Sequence, residues 1–275
     1  MGAAPNVRLK LANRAENVLL VRQALSGLAE TVGLDAIALN DVSTAVTEAA
    51  NNVVLHAYEG GAGPLEVELA SIEGGLDVLV GDRGCGIQQA VRDGEAISDG
   101  IGLPVIQALS DTVHFRRRDT GGTEVAMHFQ LSQMRSLGPD LRLDASCLQT
   151  DRPAGPEEVV LAVAPAALAR NVVPRVLSTL AARAHFSTDR ISDTQLLADT
   201  LVAELAGGGA GHMLVGVSVA PRTLELRVGP LGEGVAQALL ADADGPSVIA
   251  RLTDGHTLSK DGARELLGLR VAQRG

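Results

Sequence analysis

Tryptophan is absent from this chain, and three Phe and one Tyr are its only aromatic residues. Bases therefore have almost nothing to stack on. The formal charge is −10, so the basic footprint of a phosphate-backbone binder is missing as well. Together these shortages exclude direct nucleic-acid binding. Cysteine is scarce: Cys85 and Cys147 give neither a disulfide framework nor a zinc-ligand spacing. Charged residues and proline interrupt every apolar run well short of the ~20 residues that span a bilayer. No N-terminal signal pattern is present. The expectation is a cytoplasmic protein with no membrane partner. What the chain does have is 46% hydrophobic residues over 275 positions. Its core must be built from Leu, Val, Ile and Ala, and its length suits one large domain or two ordinary ones.

The stretch that organises the rest is 41–58, DVSTAVTEAANNVVLHAY. Val46, Ala49, Ala50, Val53 and Val54 make an apolar face at helical spacing. Glu48, Asn52 and His56 recur every fourth residue and stack along one side. Asn in mid-helix is roughly half a kcal/mol worse than Ala, and here Asn51 and Asn52 come together. At this point a solvated polar stripe and a ligand-facing stripe are equally good readings. His56 reads as a structural helix-end residue.

Around that helix the pattern predicts a strand over 7–11 and a helix over 15–31 ended by Gly33. The organising helix starts at Asp41 or slightly earlier and closes near Gly60-Gly61. Strands over 65–70 and 76–80 form a hairpin through Glu73-Gly74-Gly75. The second strand runs into Gly81-Asp82-Arg83-Gly84-Cys85-Gly86, with Cys85 read as inert. Gly100-Ile101-Gly102 opens a helix with Pro104 in its first turn. A closing hairpin over 113–117 and 123–129 turns at Gly121-Gly122. The domains expected are 1–132, a linker over 133–156, and 157–275.

The third segment repeats the first. An offset of 152 residues carries Asp41 onto Asp193 without a gap back to the first strand, pairing Val21 with Val173, Leu25 with Leu177 and Ala29 with Ala181. Further on, with small gaps, LDVLVGDRGCGI faces LELRVGPLGEGV and VIQALSD faces VIARLTD. The chain is expected to be an α/β protein duplicated in tandem. In the second copy Thr200 faces Glu48, Glu204 faces Asn52, Pro230 faces Asp82, and a residue at about Ala263 faces Thr123.

Three pieces of the first copy can build one nucleotide site. The Asn52 amide oxygen is a hard ligand suited to Mg²⁺, and Glu48 one turn away is placed to take a proton. Asp82 at a strand end can accept from the exocyclic amine of adenine, whereas guanine offers a carbonyl there. Gly84 and Gly86 let the backbone approach a flat base. Gly100 and Gly102 stand at a helix N-terminus, which suits phosphate. Thr123 adds a hydroxyl. Singly, each piece is also a common turn, helix start or strand residue.

Their order is what carries the signal. Glu-x3-Asn on a helix, Asp-x-Gly-x-Gly after a strand, Gly-x-Gly before a helix and Gly-Thr opening a strand resembles the GHKL (Bergerat-fold) ATPases. Within that family EAANNVVLHAYEG is most similar to the bacterial anti-sigma-factor serine/threonine kinases. The resemblance implies a two-layer α/β sandwich: a mixed, mostly antiparallel sheet with helices on one face. It implies ATP and Mg²⁺ as cofactors, with Asn52 on the metal and Glu48 as general base. Asp82 would bind adenine, Gly84, Gly86, Gly100 and Gly102 would shape the pocket, and Thr123 would support it. The implied activity is phosphorylation of a serine on a STAS-type anti-anti-sigma protein, with a sigma factor as the other partner. The alternative is a non-catalytic, ATP-gated module that sequesters a sigma factor or regulator; an ATPase of another kind on the same fold ranks last. The second copy, stripped of the polar groups, is expected to fold without binding ATP and to stand in for a second subunit as an intrachain pseudo-dimer.

Overall fold

The computed structural model describes residues 3–85, 102–118, 121–131, 134–138, 141–143, 158–207, 211–242, 245–261 and 264–274, in two units that divide after Asp144. Gly86 and Gly100 lie outside the described residues. The first unit runs β1 (Val7–Ala12), α1 (Asn17–Val32), α2 (Ala36–His56), β2 (Pro64–Ile72), β3 (Gly75–Gly81), α3 (Gly102–Leu109), β4 (Thr112–Arg117) and β5 (Thr123–Gln130). Its strand pairings are antiparallel and give the order β4-β5-β3-β2-β1.

Period-two alternation sorts the strand residues onto two faces. One row across the sheet reads Leu9, Val67, Val80, Val125 and the next Val7, Leu69, Val78, Met127, all buried. Against this unit's core α1 buries Val18, Val21, Leu25 and Leu28, and α2 buries Val42, Ala45, Val46, Ala49, Ala50 and Val53. The opposite rows are charged: Lys10, Glu66, Gly81, Glu124, Arg116 in register, and Arg8 beside Glu68.

The expected start of α2 needs correction. The helix begins at Ala36, because Asp35 caps it: the Asp35 carboxylate accepts the N–H groups of Ile37 and Ala38, both at 2.9 Å. Residues at the start of the expected linker are held against this unit. Met134 and Leu143 are buried, Leu143 donates to the Pro5 carbonyl at 2.8 Å, and Arg142 donates to the Ser71 carbonyl at 3.0 Å.

In the second unit a strand (Glu158–Val163) is followed by helices Ala166–Arg183 and Thr188–Gly207, strands Met213–Ala220 and Thr223–Leu231, short helices at Val235–Leu240 and Val248–Leu252, and strands Gly255–Asp261 and Arg264–Ala272. Its local hydrogen bonds match those of the first. Leu34 donates to the Ala29 carbonyl at 2.9 Å and Phe186 to that of Ala181 at 3.1 Å. The intervening Gly33 and His185 are both left-handed, with φ of 72° and 58°. Ala38 donates to Asp35 at 2.9 Å and Arg190 to the Ser187 hydroxyl at 3.3 Å. Every one of these pairs is separated by the offset of 152 seen in the sequence. Near the end, Asp111 donates to the His128 carbonyl (2.9 Å) and its carboxylate accepts from Gln130 (2.7 Å). Asp254 does the same with the Arg270 carbonyl (2.8 Å) and Ala272 (2.9 Å). Counting back from His128 and Arg270 puts Glu265, not Ala263, opposite Thr123.

Asp35→Ala leaves two N–H groups of α2 without their cap and is expected to destabilise the chain by about 1 kcal/mol. Urea unfolding, read as a lower midpoint at unchanged slope, measures it.

Candidate nucleotide site

The face of α2 that carries Glu48 and Asn52 is turned away from its apolar stripe, and both residues are half-buried. Neither side chain has a hydrogen-bond partner among the described residues. The N-terminus of α3 lies over them. A Cβ added at Gly102 would stand 3.1 Å from Glu48 Oε2 and 3.5 Å from Asn52 Oδ1. A side chain here would press on the Glu48 carboxylate, which would have to give by a few tenths of an ångström; glycine seats the helix start without that shift. The structure thus brings Gly102 to the Glu48/Asn52 pair, although 53 residues lie between Glu48 and the residue after Ile101. His56 is exposed at the last position of α2.

The turn after β3 sits on the C-terminal end of the same helix, just beyond Asn52. Four consecutive amides are satisfied internally. Asp82 donates to the Thr123 carbonyl (3.0 Å), Arg83 to the Tyr58 hydroxyl (2.9 Å), Gly84 to Asp82 Oδ1 (2.8 Å) and Cys85 to the Ala57 carbonyl (3.0 Å). A Cβ at Gly84 would collide with the Ala57 carbonyl oxygen, so this glycine is required for the turn to seat on α2. With its amides already used, this turn is no anion cradle; what it presents is the Asp82 side chain. Asp82 is 3% exposed and Thr123 7%. An ionised carboxylate has about four acceptor sites, so Asp82 keeps capacity for a ligand donor beyond the backbone bonds it accepts from Gly84 and Thr123.

Sequence reasoning missed the groups that hold this turn from behind. Glu66 is buried and takes Arg118 Nη1 at 2.8 Å and Arg83 Nη2 at 3.0 Å. Arg118 also reaches Glu124 at 3.4 Å, and Arg116 reaches it at 2.6 Å. Burial pushes the Glu66 carboxyl up, and the Arg118 hydrogen bond and charge more than offset it, leaving it below the ordinary glutamate value. The signal for this cluster was the polar member of the LEVELA alternation together with the arginine run at 116–118.

Part of the chain is similar to known proteins. Residues 11–129 match the histidine kinase-like ATPase domain family, and that domain spans the described site. Distant relatives include the serine-protein kinase RsbW of Bacillus mycoides, 22% identical over 144 residues covering 48% of this chain and 90% of the relative. The RsbW proteins of Bacillus thuringiensis and Bacillus cereus are 24% identical over the same shares. Among the described residues no helix is long and apolar enough to cross a membrane.

Burial pushes the Asp82 carboxyl above its ordinary value, against the lowering pull of backbone hydrogen bonds from Gly84 and Thr123. A raised folded-state value means the folded chain holds this proton more tightly than the unfolded one. The stability linked to that proton is complete below the unfolded pKa and is lost as pH rises through the folded one. Asp82→Asn is therefore expected to melt at a higher temperature than wild type at pH 7, with the advantage shrinking at pH 4. Parallel thermal melts at the two pH values check it; an advantage independent of pH contradicts it.

Proposed function

We propose that the first unit is an ATP-dependent serine/threonine protein kinase of the anti-sigma-factor type, built on a Bergerat two-layer α/β fold. The observation that carries this is the seating of Gly102 on Glu48 and Asn52, with the Asp82 turn anchored to the end of the same helix. Base, metal and phosphate groups are then referred to one rigid element. The donor set fits Mg²⁺. Asn52 offers a neutral oxygen and Glu48 stands beside it, while no group of three or more His, Cys, Asp or Glu is gathered among the described residues. A metal here would take its remaining ligands from phosphate and water, as Mg²⁺ does. When bound it neutralises charge on the phosphates.

Asp82 accepts the adenine amine and disfavours the guanine carbonyl. Glu48 takes the proton from the hydroxyl of the acceptor serine. The serine oxygen bonds to the γ-phosphorus, the bond to the β,γ-bridging oxygen breaks, and ADP leaves with that electron pair. The acceptor is a serine of a STAS-type anti-anti-sigma protein, and the second partner is a sigma factor. The similarity to serine-protein kinases supports this reading. The second unit is a degenerate copy that carries no nucleotide. Thr200, Glu204, Pro230 and Glu265 stand where the first unit has Glu48, Asn52, Asp82 and Thr123.

The test is transfer of labelled γ-phosphate from ATP to a STAS protein. Glu48→Ala is expected to slow transfer by roughly 10²–10⁴-fold, the usual worth of a general base, with ATP uptake retained. Undiminished transfer removes Glu48 from the chemistry. ATP uptake without transfer in the wild type favours the scaffold reading.

A further inference from the structure

We propose that Tyr58 is a positioning residue that locks the base-reading turn to the metal-binding helix and so sets base selectivity. The inference deepens the nucleotide reading above and rests on it. Tyr58 lies two residues past the end of α2, next to the capping Ala57, whose carbonyl takes the Cys85 amide. Its hydroxyl works in both directions. It donates to the Pro64 carbonyl at 2.6 Å, at the start of β2, and accepts the Arg83 N–H at 2.9 Å, next to Asp82. A phenol has one donor and can accept as well, so both functions are in use. The ring is clamped. A Cβ at Gly63 would overlap it, and one at Gly84 would stand 3.2 Å from Cδ1. Burial pushes the phenol up to about 12, so it remains a donor throughout the neutral range.

The consequence is geometric. The Arg83 amide and the Cys85 amide flank Gly84, and both end on residues of the Ala57-Tyr58 pair. Between them they fix how far the Asp82 turn stands from Glu48 and Asn52 along α2. Removing the hydroxyl leaves the Arg83 amide and the Pro64 carbonyl without their partner, and the turn keeps its backbone attachments at Cys85 and Thr123 and the Arg83 side-chain bond to Glu66. Asp82 is then held less firmly, while Glu48 and Asn52 are undisturbed.

The variant Tyr58→Phe keeps the ring and removes both bonds. A hydrogen bond of this kind is worth about 1 kcal/mol, so the KM for Mg–ATP is expected to rise about 5–10-fold, with kcat within about twofold of wild type. The preference for ATP over GTP should fall by a similar factor, since the lost constraint is on the residue that reads the base. An unchanged KM and ATP/GTP ratio overturns the proposal, as does a fall in kcat at constant KM. A structural role alone would lower the melting temperature and leave the ratio untouched. If the variant does not fold, the otherwise unaltered chain decides. Tyr58 is the only tyrosine, so biosynthetic 3-fluorotyrosine gives one fluorine resonance. That resonance should shift on adding Mg–ATP, reaching half its full change at the calorimetric Kd; a resonance that stays in place while calorimetry registers binding overturns the proposal. A wild-type chain that takes up no Mg–ATP refutes the nucleotide reading itself. Wild-type uptake with an indifferent Tyr58→Phe refutes only this inference.

Discussion

The fit of a backbone turn against a helix end governs this site. The segment Asp82–Cys85 spends its amides on Thr123, Tyr58, Asp82 itself and Ala57, and Gly84 is the residue that lets it come close enough. A buried carboxylate at 3% exposure is costly. Backbone hydrogen bonds from Gly84 and Thr123 to its carboxylate offset part of that cost.

Behind the turn, a second layer of charge keeps the sheet in register. Glu66, Glu124, Arg116 and Arg118 occupy one row across β2, β5 and β4 and the loop after β4. A row of this kind is neutralised pair by pair, which is how a sheet face without apolar cover can be half-buried. Arg118 also joins the hairpin turn to the site: its N–H donates to the Gly122 carbonyl at 3.1 Å, next to Thr123.

The two units show which parts of the pattern belong to folding and which to chemistry. The left-handed helix stop, the side-chain cap after it and the aspartate that ties the late helix to the last strand occur in both. The polar groups of the candidate nucleotide site, Glu48, Asn52, Asp82 and Thr123, occur in the first alone. Glu265, in place of Thr123, is instead bonded inward: its carboxylate takes the Ala236 amide at 3.1 Å, an internal use for a position that in the first unit faces the Asp82 turn.

Much of this was legible in the sequence, for physical reasons. Alternation in 65–70 and 76–80, and the 3.6-residue period in the two long helices, report burial directly; the helix residues the pattern selects are buried except Val54, which is half-buried at the margin of the apolar stripe. Asp35 lies six positions before Asp41 and both are residue types that cap helices; only the bonds to Ile37 and Ala38 distinguish them. The role of Tyr58 was hidden because it depends on Pro64 and Arg83, which approach it only in the fold. The Glu66–Arg118 pair was hidden for the same reason: its partners are 52 residues apart.

The most direct test is a crystal structure of the full chain with Mg²⁺ and a non-hydrolysable ATP analogue. The account predicts one nucleotide per chain, its adenine amine on the Asp82 carboxylate and its phosphates between Asn52 and Gly102. A nucleotide bound elsewhere, or a second one in the unit that begins at Ala145, would contradict it.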